Sequence, residues 1–266
     1  MDSIEYAELI NCSFCDNFGT ALAVYQTSVT LAENNEFTDN HCDGEGFIPN
    51  SCVGGGGITA LDSNLTFIGN TTFLRNCATS GSAGIYVFNC SLSSTGNVHF
   101  INNSLAAPHF SKHSSVAIWA SASSLNIIGT SNFINNSGDY CGAIIAWHNT
   151  SLSFNGTSNF INNSAHYGAA IYALGNTSVS FTGANNFINN SADFGGAIYA
   201  LGNTSVSFIG TNNFINNSAD YGGVIDTADN TLLSFTGTSN IVNNSASIVG
   251  GAIATADYTS LIFTGT

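Results

Sequence analysis

The feature that most constrains this chain is a repeat of constant length. Residues 160–186 match residues 187–213 at 22 of 27 positions. Self-similarity at a fixed period is typical of architectures in which each unit packs against its neighbours. The residues that mark the 27-residue period most clearly are Phe133, Phe160, Phe187, Phe214 and Ile241. We therefore expect one structural unit to be copied along the chain.

Each repeat contains three short phrases. One is F-x-x-N, as in Phe187 and Asn190, one is G-G-A-I, as in residues 195–198, and one is an alternating stretch such as TSVSF. Apolar residues at every second position, with Gly, Asn, Ser and Thr between the phrases, are typical of strands and turns. Identical strands stack in register if each repeat forms one turn of a coil. The sequence therefore predicts an all-β fold, a right-handed parallel β-helix (solenoid) of about nine rungs with a 27-residue period.

In such a coil, residues one period apart lie at about the 4.8 Å spacing of neighbouring strands. We expect Phe187 to lie beside Phe214 in a buried column. Asn190 and Asn217 are predicted to belong to a column of amides that hydrogen-bond from rung to rung. Two further buried columns are predicted, Phe154, Phe181, Phe208 and Phe235, and Ile144, Ile171, Ile198 and Ile225.

The domain organisation follows from the same period. Residues 1–266 are predicted to form a single β-helix repeat domain. The spacing lengthens at two places, where we expect loops at about residues 41–54 and 105–115. The pattern is already under way at Phe14 and stops before a further F-x-x-N phrase. The chain is therefore predicted to be a fragment of a longer protein.

The charge composition argues against two kinds of partner. The formal net charge is -14, because Lys and Arg together number two. Nucleic acids and anionic lipid surfaces are bound by clustered Lys and Arg. The sequence also has no apolar run of the roughly 20 residues that a membrane helix needs. We expect no nucleic-acid partner and no membrane span in this chain.

The seven cysteines give weak signals. Cys42 and Cys52 bracket the first insertion, and a disulfide between them would suit a secreted protein. Cys12 and Cys15 have the spacing of a metal-binding pair, but no second pair has zinc spacing. Cys141 takes a glycine position of the G-G-A-I phrase and is predicted to be a small buried residue.

One register of ionisable residues follows the N-N-S corner. It contains Asp139, His166, Asp193 and Asp220. Stacked carboxylates could share a calcium ion, or these residues could be solvated turn residues, since Asp tolerates left-handed turns. No nucleophile, base and orienting group share a register. We therefore predict no catalytic residue, no bound metal and no cofactor.

The chain is also rich in N-x-S/T sequons. In a eukaryotic secretory route several would be glycosylated, although copying an Asn- and Ser-rich turn also produces them. The 14 sequons begin at Asn11, Asn64, Asn70, Asn89, Asn102, Asn135, Asn149, Asn155, Asn162, Asn176, Asn189, Asn203, Asn216 and Asn243.

The alternation of G-G-A-I with F-x-x-N closely resembles the repeat of the chlamydial polymorphic outer-membrane proteins. The resemblance is carried by residues 187–198, 214–225 and 241–253. It implies an extracellular β-helical passenger that acts as an adhesin, secreted and, in a bacterium, located at the outer membrane. The motif residues that it puts forward for binding, mainly structural ones, are Phe187, Asn190, Gly195, Gly196, Ala197, Ile198, Phe214, Asn217, Gly222 and Gly223.

Three classes of function follow. The favoured hypothesis is a repeat adhesin or structural protein, not an enzyme, that binds a cell-surface protein or glycan through the side of the rod. The alternative is a carbohydrate-active β-helix enzyme, a polysaccharide lyase or hydrolase. A third hypothesis is ice binding by flat hydroxyl rows that include Thr177 and Thr204.

Overall fold

The computed structural model describes residues 6–42, 54–79, 81–105 and 115–265. Within these ranges the regular elements are all strands, and none is a helix. Strands one rung apart pair in parallel and build sheets that run the length of the molecule. The prediction of an all-β parallel β-helix is confirmed.

Three long parallel sheets form the walls of the rod. Sheet 1 contains β1 (Tyr6–Ile10), β4 (Ser28–Ala32), β8 (Asn64–Phe67), β12 (Ser91–Ser94), β16 (Ser124–Ile127), β19 (Ser151–Phe154), β22 (Ser178–Phe181), β25 (Ser205–Phe208), β29 (Leu232–Phe235) and β33 (Ser260–Phe263). Sheet 2 contains β2 (Ser13–Cys15), β5 (Asn34–Thr38), β9 (Asn70–Leu74), β13 (Val98–Ile101), β17 (Thr130–Ile134), β20 (Thr157–Ile161), β23 (Ala184–Ile188), β26 (Thr211–Ile215) and β30 (Thr238–Val242). Sheet 3 contains β3 (Leu22–Tyr25), β7 (Ile58–Leu61), β11 (Ile85–Phe88), β15 (Ile118–Ser121), β18 (Ile144–Trp147), β21 (Ile171–Leu174), β24 (Ile198–Leu201), β28 (Ile225–Thr227) and β32 (Ile253–Thr255).

Two shorter parallel sheets form at the N-N-S corner. One contains β6 (His41–Cys42), β10 (Cys77–Ala78) and β14 (Ser104–Leu105). The other contains β27 (Ser218–Tyr221) and β31 (Ser245–Val249).

The register between rungs is the one that the sequence period predicts. Phe187 pairs with Phe214, and their rings stack with centroids 5.0 Å apart. The same column continues through both places where the spacing lengthens, because Phe37 pairs with Phe73 and Phe100 with Phe133. The extra residues therefore leave the stacking of the rungs unchanged.

The two predicted loops are only partly within the described residues. The first strand of the corner includes His41 and Cys42, and another ends at Leu105, so these ends of the expected loops belong to strands. The central parts, residues 43–53 and 106–114, lie outside the described residues.

The interior is filled by the predicted columns. Phe154, Phe181, Phe208 and Phe235 stack at 4.9 to 5.0 Å between ring centroids. This column meets the other phenylalanine column edge to face, as in the contact of Phe181 with Phe187 at 83° between ring planes. Offset and perpendicular ring contacts of this kind add to the stabilisation gained from burial alone. The isoleucine column of sheet 3 completes the core.

Candidate functional site

The motif residues that the sequence puts forward for binding lie in the interior of the rod. All ten are buried: Phe187, Asn190, Gly195, Gly196, Ala197, Ile198, Phe214, Asn217, Gly222 and Gly223. Their packing and hydrogen bonds build the rungs. The surface available to a partner is therefore formed by other residues.

The two glycines of the G-G-A-I phrase meet two different steric requirements. Gly195 has a φ of 61°, and a Cβ there would lie 2.0 Å from the carbonyl oxygen of Ile198. A Cβ on Gly196 would lie 2.2 Å from the carbonyl oxygen of Gly223 in the next rung. In this rung glycine avoids both contacts, whereas other rungs accommodate a side chain at the equivalent positions, Cys141 for Gly195 and Ala169 for Gly196. The motif is thus explained by turn geometry and by the close approach of successive rungs.

The N-N-S corner holds two asparagines with different tasks. Asn189 is exposed and has a φ of 55°, a left-handed conformation that Asn tolerates better than most residues. Asn190 is fully buried, and its Nδ2 donates to Asn217 Oδ1 at 3.0 Å and to the Phe160 carbonyl at 2.9 Å. Its Oδ1 accepts from the backbone nitrogen and the Nδ2 of Asn163. The predicted amide ladder is confirmed.

These tasks account for the six N-N-S sequons, which begin at Asn102, Asn135, Asn162, Asn189, Asn216 and Asn243, without reference to glycosylation. The left-handed residue supplies the first Asn, the buried ladder supplies the second, and a stacked serine follows. Ser218 Oγ donates to Ser191 Oγ at 3.1 Å, as one example of that serine column. Glycosylation of the sequons stays a prediction.

The ionisable register also stacks from rung to rung. The backbone nitrogen of His166 donates to the Asp139 carbonyl, that of Asp193 to His166, and that of Asp220 to Asp193. His166 Nδ1 lies 2.5 Å from Asp193 Oδ2, and Asp220 accepts a hydrogen bond from Ser247 Oγ. The described residues contain no group of three or more His, Cys, Asp or Glu side chains that could hold a metal ion. Calcium binding by Asp193 and Asp220 stays a prediction.

The outer faces of sheets 1 and 2 are uncharged over several consecutive rungs, and sheet 2 also carries a partly exposed apolar column that includes Ile161, Ile188 and Ile215. Sheet 1 presents serine hydroxyls, from Ser151, Ser153, Ser178, Ser180, Ser205 and Ser207. Sheet 2 presents a second amide column, formed by Asn132, Asn159, Asn186, Asn213 and Asn240. In this column each Nδ2 donates to the Oδ1 of the preceding rung at 2.7 to 2.9 Å.

The outer face of sheet 3 differs, because it carries aromatic rings. Alternate residues of a strand point to opposite faces, so the rings lie opposite the buried Ile and Ala of the same strands. One column lies on the strands and a second lies on the turns that precede them. We call these eight residues the aromatic face: Tyr86, Trp119, Tyr172 and Tyr199 on the strands, and Tyr140, Tyr167, Phe194 and Tyr221 on the turns.

The two columns of the aromatic face pack against each other. The Tyr167 ring lies 5.7 Å from that of Tyr172, 5.5 Å from that of Tyr199 and 5.4 Å from that of Phe194, measured between centroids. Tyr221 stacks on Phe194 at 5.1 Å. Tyr172 is buried, whereas the other four rings remain partly exposed. These five rings form a continuous aromatic cluster, which Ile145 separates from Trp119 and Tyr86 in the strand column.

Burial changes the titration of this surface. It raises the pKa of Tyr86 to about 12, and it also raises that of Tyr199 to about 12, with the Asp226 carboxylate as a further cause. Asp226 follows Tyr199 in the strand column, and burial raises its pKa to about 6. At neutral pH the hydroxyls of Tyr86 and Tyr199 are therefore neutral.

Sequence reasoning missed the aromatic face, although a signal was present. Tyr140, Tyr167, Phe194 and Tyr221 recur at the 27-residue spacing, each directly after the ionisable register. The spacing showed that these rings would stack. It did not show that the turn would bring them against Tyr172 and Tyr199.

Two other predicted features have different outcomes. Thr177 and Thr204 are buried, and their hydroxyls donate to the carbonyls of Leu174 and Leu201. The idea that they belong to an exposed ice-binding row is therefore wrong.

Cys141 is fully buried, as predicted, and burial raises the pKa of its thiol to about 12.

The other cysteine predictions concern a disulfide between Cys42 and Cys52 and the closely spaced pair Cys12 and Cys15. Cys52 lies outside the described residues, so the proposed pairing with Cys42 stays a prediction. Cys12 and Cys15 belong to the first rung, and Ser13 Oγ lies 2.9 Å from Cys15 Sγ.

Among the described residues, none forms a helix with the length and apolarity required to cross a membrane. No protein-family model, no curated protein and no solved structure matches this chain. The resemblance to the chlamydial repeat therefore stays a prediction, and the chain is characterised by its own geometry.

Proposed function

We propose that this chain is an extracellular repeat adhesin or surface structural protein that binds a cell-surface protein or glycan through the side of the rod. The observation that carries the proposal is the aromatic face. Five of its rings are partly exposed, those of Tyr140, Tyr167, Phe194, Tyr199 and Tyr221, whereas Tyr86, Trp119 and Tyr172 are buried. Tyrosine, tryptophan and phenylalanine are enriched at binding interfaces. At the outward positions sheet 1 offers hydroxyls, and sheet 2 offers amides beside a column of isoleucines.

The repeat supports attachment along the rod. Tyr167, Phe194 and Tyr221 present aromatic rings at successive rungs, with centroids 5.4 and 5.1 Å apart. Contacts on neighbouring rungs reinforce one another, because the first contact holds the partner close to the second. A partner that spans several rungs would bind much more tightly than one that touches a single ring.

Location outside the cell is part of the proposal. It is supported by the resemblance to the chlamydial repeat and by the eight sequons that lie outside the N-N-S corner. The polar surface built from Ser, Thr and Asn, with 7% charged residues, is compatible with that location.

Catalysis is not part of the proposal. In the described chain the His166 ring contacts Asp193, but no Ser or Cys side chain is hydrogen-bonded to it. General-base activation of a nucleophile requires such a contact, or a water in its place. Both side chains of the pair are also at least half exposed, which weakens their electrostatic interaction.

The test measures attachment of the labelled chain to cultured cells and to an array of cell-surface glycans. A triple variant, Tyr167→Ser, Phe194→Ser and Tyr221→Ser, removes three rings of the aromatic face. The matched control, Ile161→Ser, Ile188→Ser and Ile215→Ser, removes three partly exposed apolar side chains from the outer face of sheet 2. We expect the first variant to lose attachment and the control to retain it.

Circular dichroism and thermal melting of both variants separate unfolding from loss of recognition. Equal attachment by the two triple variants, with both folded, would contradict a role for the aromatic face. The adhesin proposal itself is overturned if the native chain binds no cell or glycan and instead cleaves an acidic polysaccharide, with a calcium dependence that is lost in Asp193→Asn and Asp220→Asn.

A further inference from the structure

Carboxylates border the aromatic face on two sides. On the turn side, Asp193 and Asp220 directly precede Phe194 and Tyr221 in the chain. On the strand side, Asp226 is the direct pairing neighbour of Tyr199 in the next rung. The rings therefore lie between two groups of acidic side chains.

Within the described residues, no cation balances the carboxylate of Asp226. In the described ranges, Asp226 forms no ion pair and no hydrogen bond to another side chain; the backbone N–H of Thr227 donates to its carboxylate, and the residue is only partly exposed. Arg75 is the one Arg or Lys within those ranges, and it is bound to Asp39 through two hydrogen bonds of 2.8 and 2.6 Å. A partly buried, unpaired carboxylate next to an aromatic ring gains from a cation supplied by a partner.

The position of Tyr199 favours such a cation. Its ring stacks on Tyr172 in the preceding rung, at 5.5 Å and 19° between planes. In the following rung its pairing neighbour is Asp226, so no ring of the strand column continues beyond it on that side. The face of an aromatic ring attracts guanidinium and ammonium groups, and a neighbouring carboxylate strengthens the attraction.

This arrangement distinguishes a cationic partner from a neutral glycan. A sugar ring could stack on Tyr199, but the charge of Asp226 would contribute little to its binding. An Arg or Lys side chain uses the ring and the carboxylate together. The net charge of -14 also attracts a basic partner at long range.

We propose that the aromatic face binds an extended segment of a partner protein that bears Arg and Lys, with one cationic group held over Tyr199 beside Asp226. The inference rests on the proposed function and narrows its partner from a protein or glycan to a basic protein segment. Arg fits best, because its planar guanidinium stacks on a ring and hydrogen-bonds a carboxylate at the same time.

The test uses the full chain and a fluorescein-labelled peptide of alternating Arg and Ser. A second peptide, with citrulline in place of Arg, keeps the shape and most hydrogen-bond donors but removes the charge. We expect the Arg peptide to bind more tightly than the citrulline peptide, with an affinity that falls as salt is raised. Tyr199→Leu and Asp226→Asn should each weaken binding about two- to fivefold.

The matched control is Glu8→Gln, which removes an exposed carboxylate from sheet 1, away from the aromatic face. It should bind the Arg peptide like the native chain. The inference is overturned if both peptides bind equally, if Asp226→Asn and Glu8→Gln have equal effects, or if only a neutral oligosaccharide binds the aromatic face.

The outcomes for the two proposals can be told apart. A chain that attaches to cells through Tyr167, Phe194 and Tyr221 but ignores the Arg peptide would keep the adhesin proposal and reject a cationic partner. A chain that binds the Arg peptide through Tyr199 and Asp226 but attaches to no cell would support the cationic site and reject the adhesin.

Discussion

Two asparagine ladders of the rod, one on the outer face of sheet 2 and one buried at the N-N-S corner that follows it, differ in almost every respect except residue type. In the buried ladder, both the Oδ1 and the Nδ2 of Asn190 are hydrogen-bonded to neighbouring asparagines. The Oδ1 also accepts from the backbone nitrogen of Asn163, and the Nδ2 also donates to the carbonyl of Phe160. In the outer ladder on sheet 2, the Asn186 side chain donates one hydrogen bond, to Asn159, and accepts one, from Asn213. The inner ladder is saturated, whereas the outer one keeps donors and acceptors for solvent.

The direction of the bonds differs as well. Each buried Nδ2 donates toward the next rung in the chain, as Asn163 does to Asn190. Each outer Nδ2 donates toward the preceding rung, as Asn186 does to Asn159. The hydrogen bonds between side-chain amides therefore run in opposite directions along the rod in the two ladders. Burial decides how much each ladder contributes to the free energy of unfolding, because an unpaired polar group costs far more in the interior than in contact with water.

The largest expected effect on stability comes from removing a single amide side chain from each ladder in turn. Asn190→Ala leaves the backbone nitrogen and Nδ2 of Asn163 and the Phe160 carbonyl without their partner inside the rod. We expect a loss of about 3 kcal/mol in the free energy of unfolding. Asn186→Ala should change it by no more than about 0.5 kcal/mol, because water replaces the lost amide. Urea unfolding of both variants measures the difference. Equal midpoints would show that the two ladders contribute equally to the free energy of unfolding.

A smaller effect is expected at the corner that leads into the buried ladder. Asn189 is exposed but has a φ of 55°, so its backbone conformation rather than its side chain is the constraint. Asn189→Ala should cost about 1 kcal/mol, and Asn189→Gly should be tolerated, since glycine adopts this conformation without strain. Thermal melting of the two variants tests the point. If Ala and Gly are equally tolerated, the left-handed turn does not select Asn at this position.

The smallest predicted effect is a pH dependence of stability that arises from the outer ladder. That ladder ends at His99, whose Nδ1 lies 2.8 Å from Asn132 Nδ2. Since Nδ2 is a donor, the bond requires a neutral imidazole whose Nδ1 accepts. Partial burial lowers the pKa of His99 below its usual 6.5, so the unfolded chain binds the proton more readily.

Stability should therefore rise with pH through the window just below 6.5, and the contribution of His99 should be lost as the pH falls through its folded pKa. Proton NMR titration of the His99 ring gives that pKa directly. In His99→Asn, which replaces the imidazole with an amide, this part of the pH dependence should disappear. Persistence of the same slope in that variant would assign it to another group.

Much of this architecture could be predicted from the sequence, because a constant period specifies which residues are neighbours. The stacking of Phe187 on Phe214 and the pairing of Asn190 with Asn217 follow from the spacing of 27 alone. Contacts within one rung do not follow from it. The packing of Tyr167 against Tyr172 depends on the path of the turn between them. The opposite direction of the outer ladder depends on side-chain rotamers, which no period encodes.

The near identity of residues 160–186 and 187–213 has a consequence for how such a rod can lengthen over generations. A rung touches only the rungs on either side, so its shape requires no agreement with distant parts of the protein. A genetic duplication of 27 codons would insert a turn whose every column already matches both neighbours. Length could then change in single steps without any intermediate that fails to fold, and substitutions at outward positions could diversify afterwards.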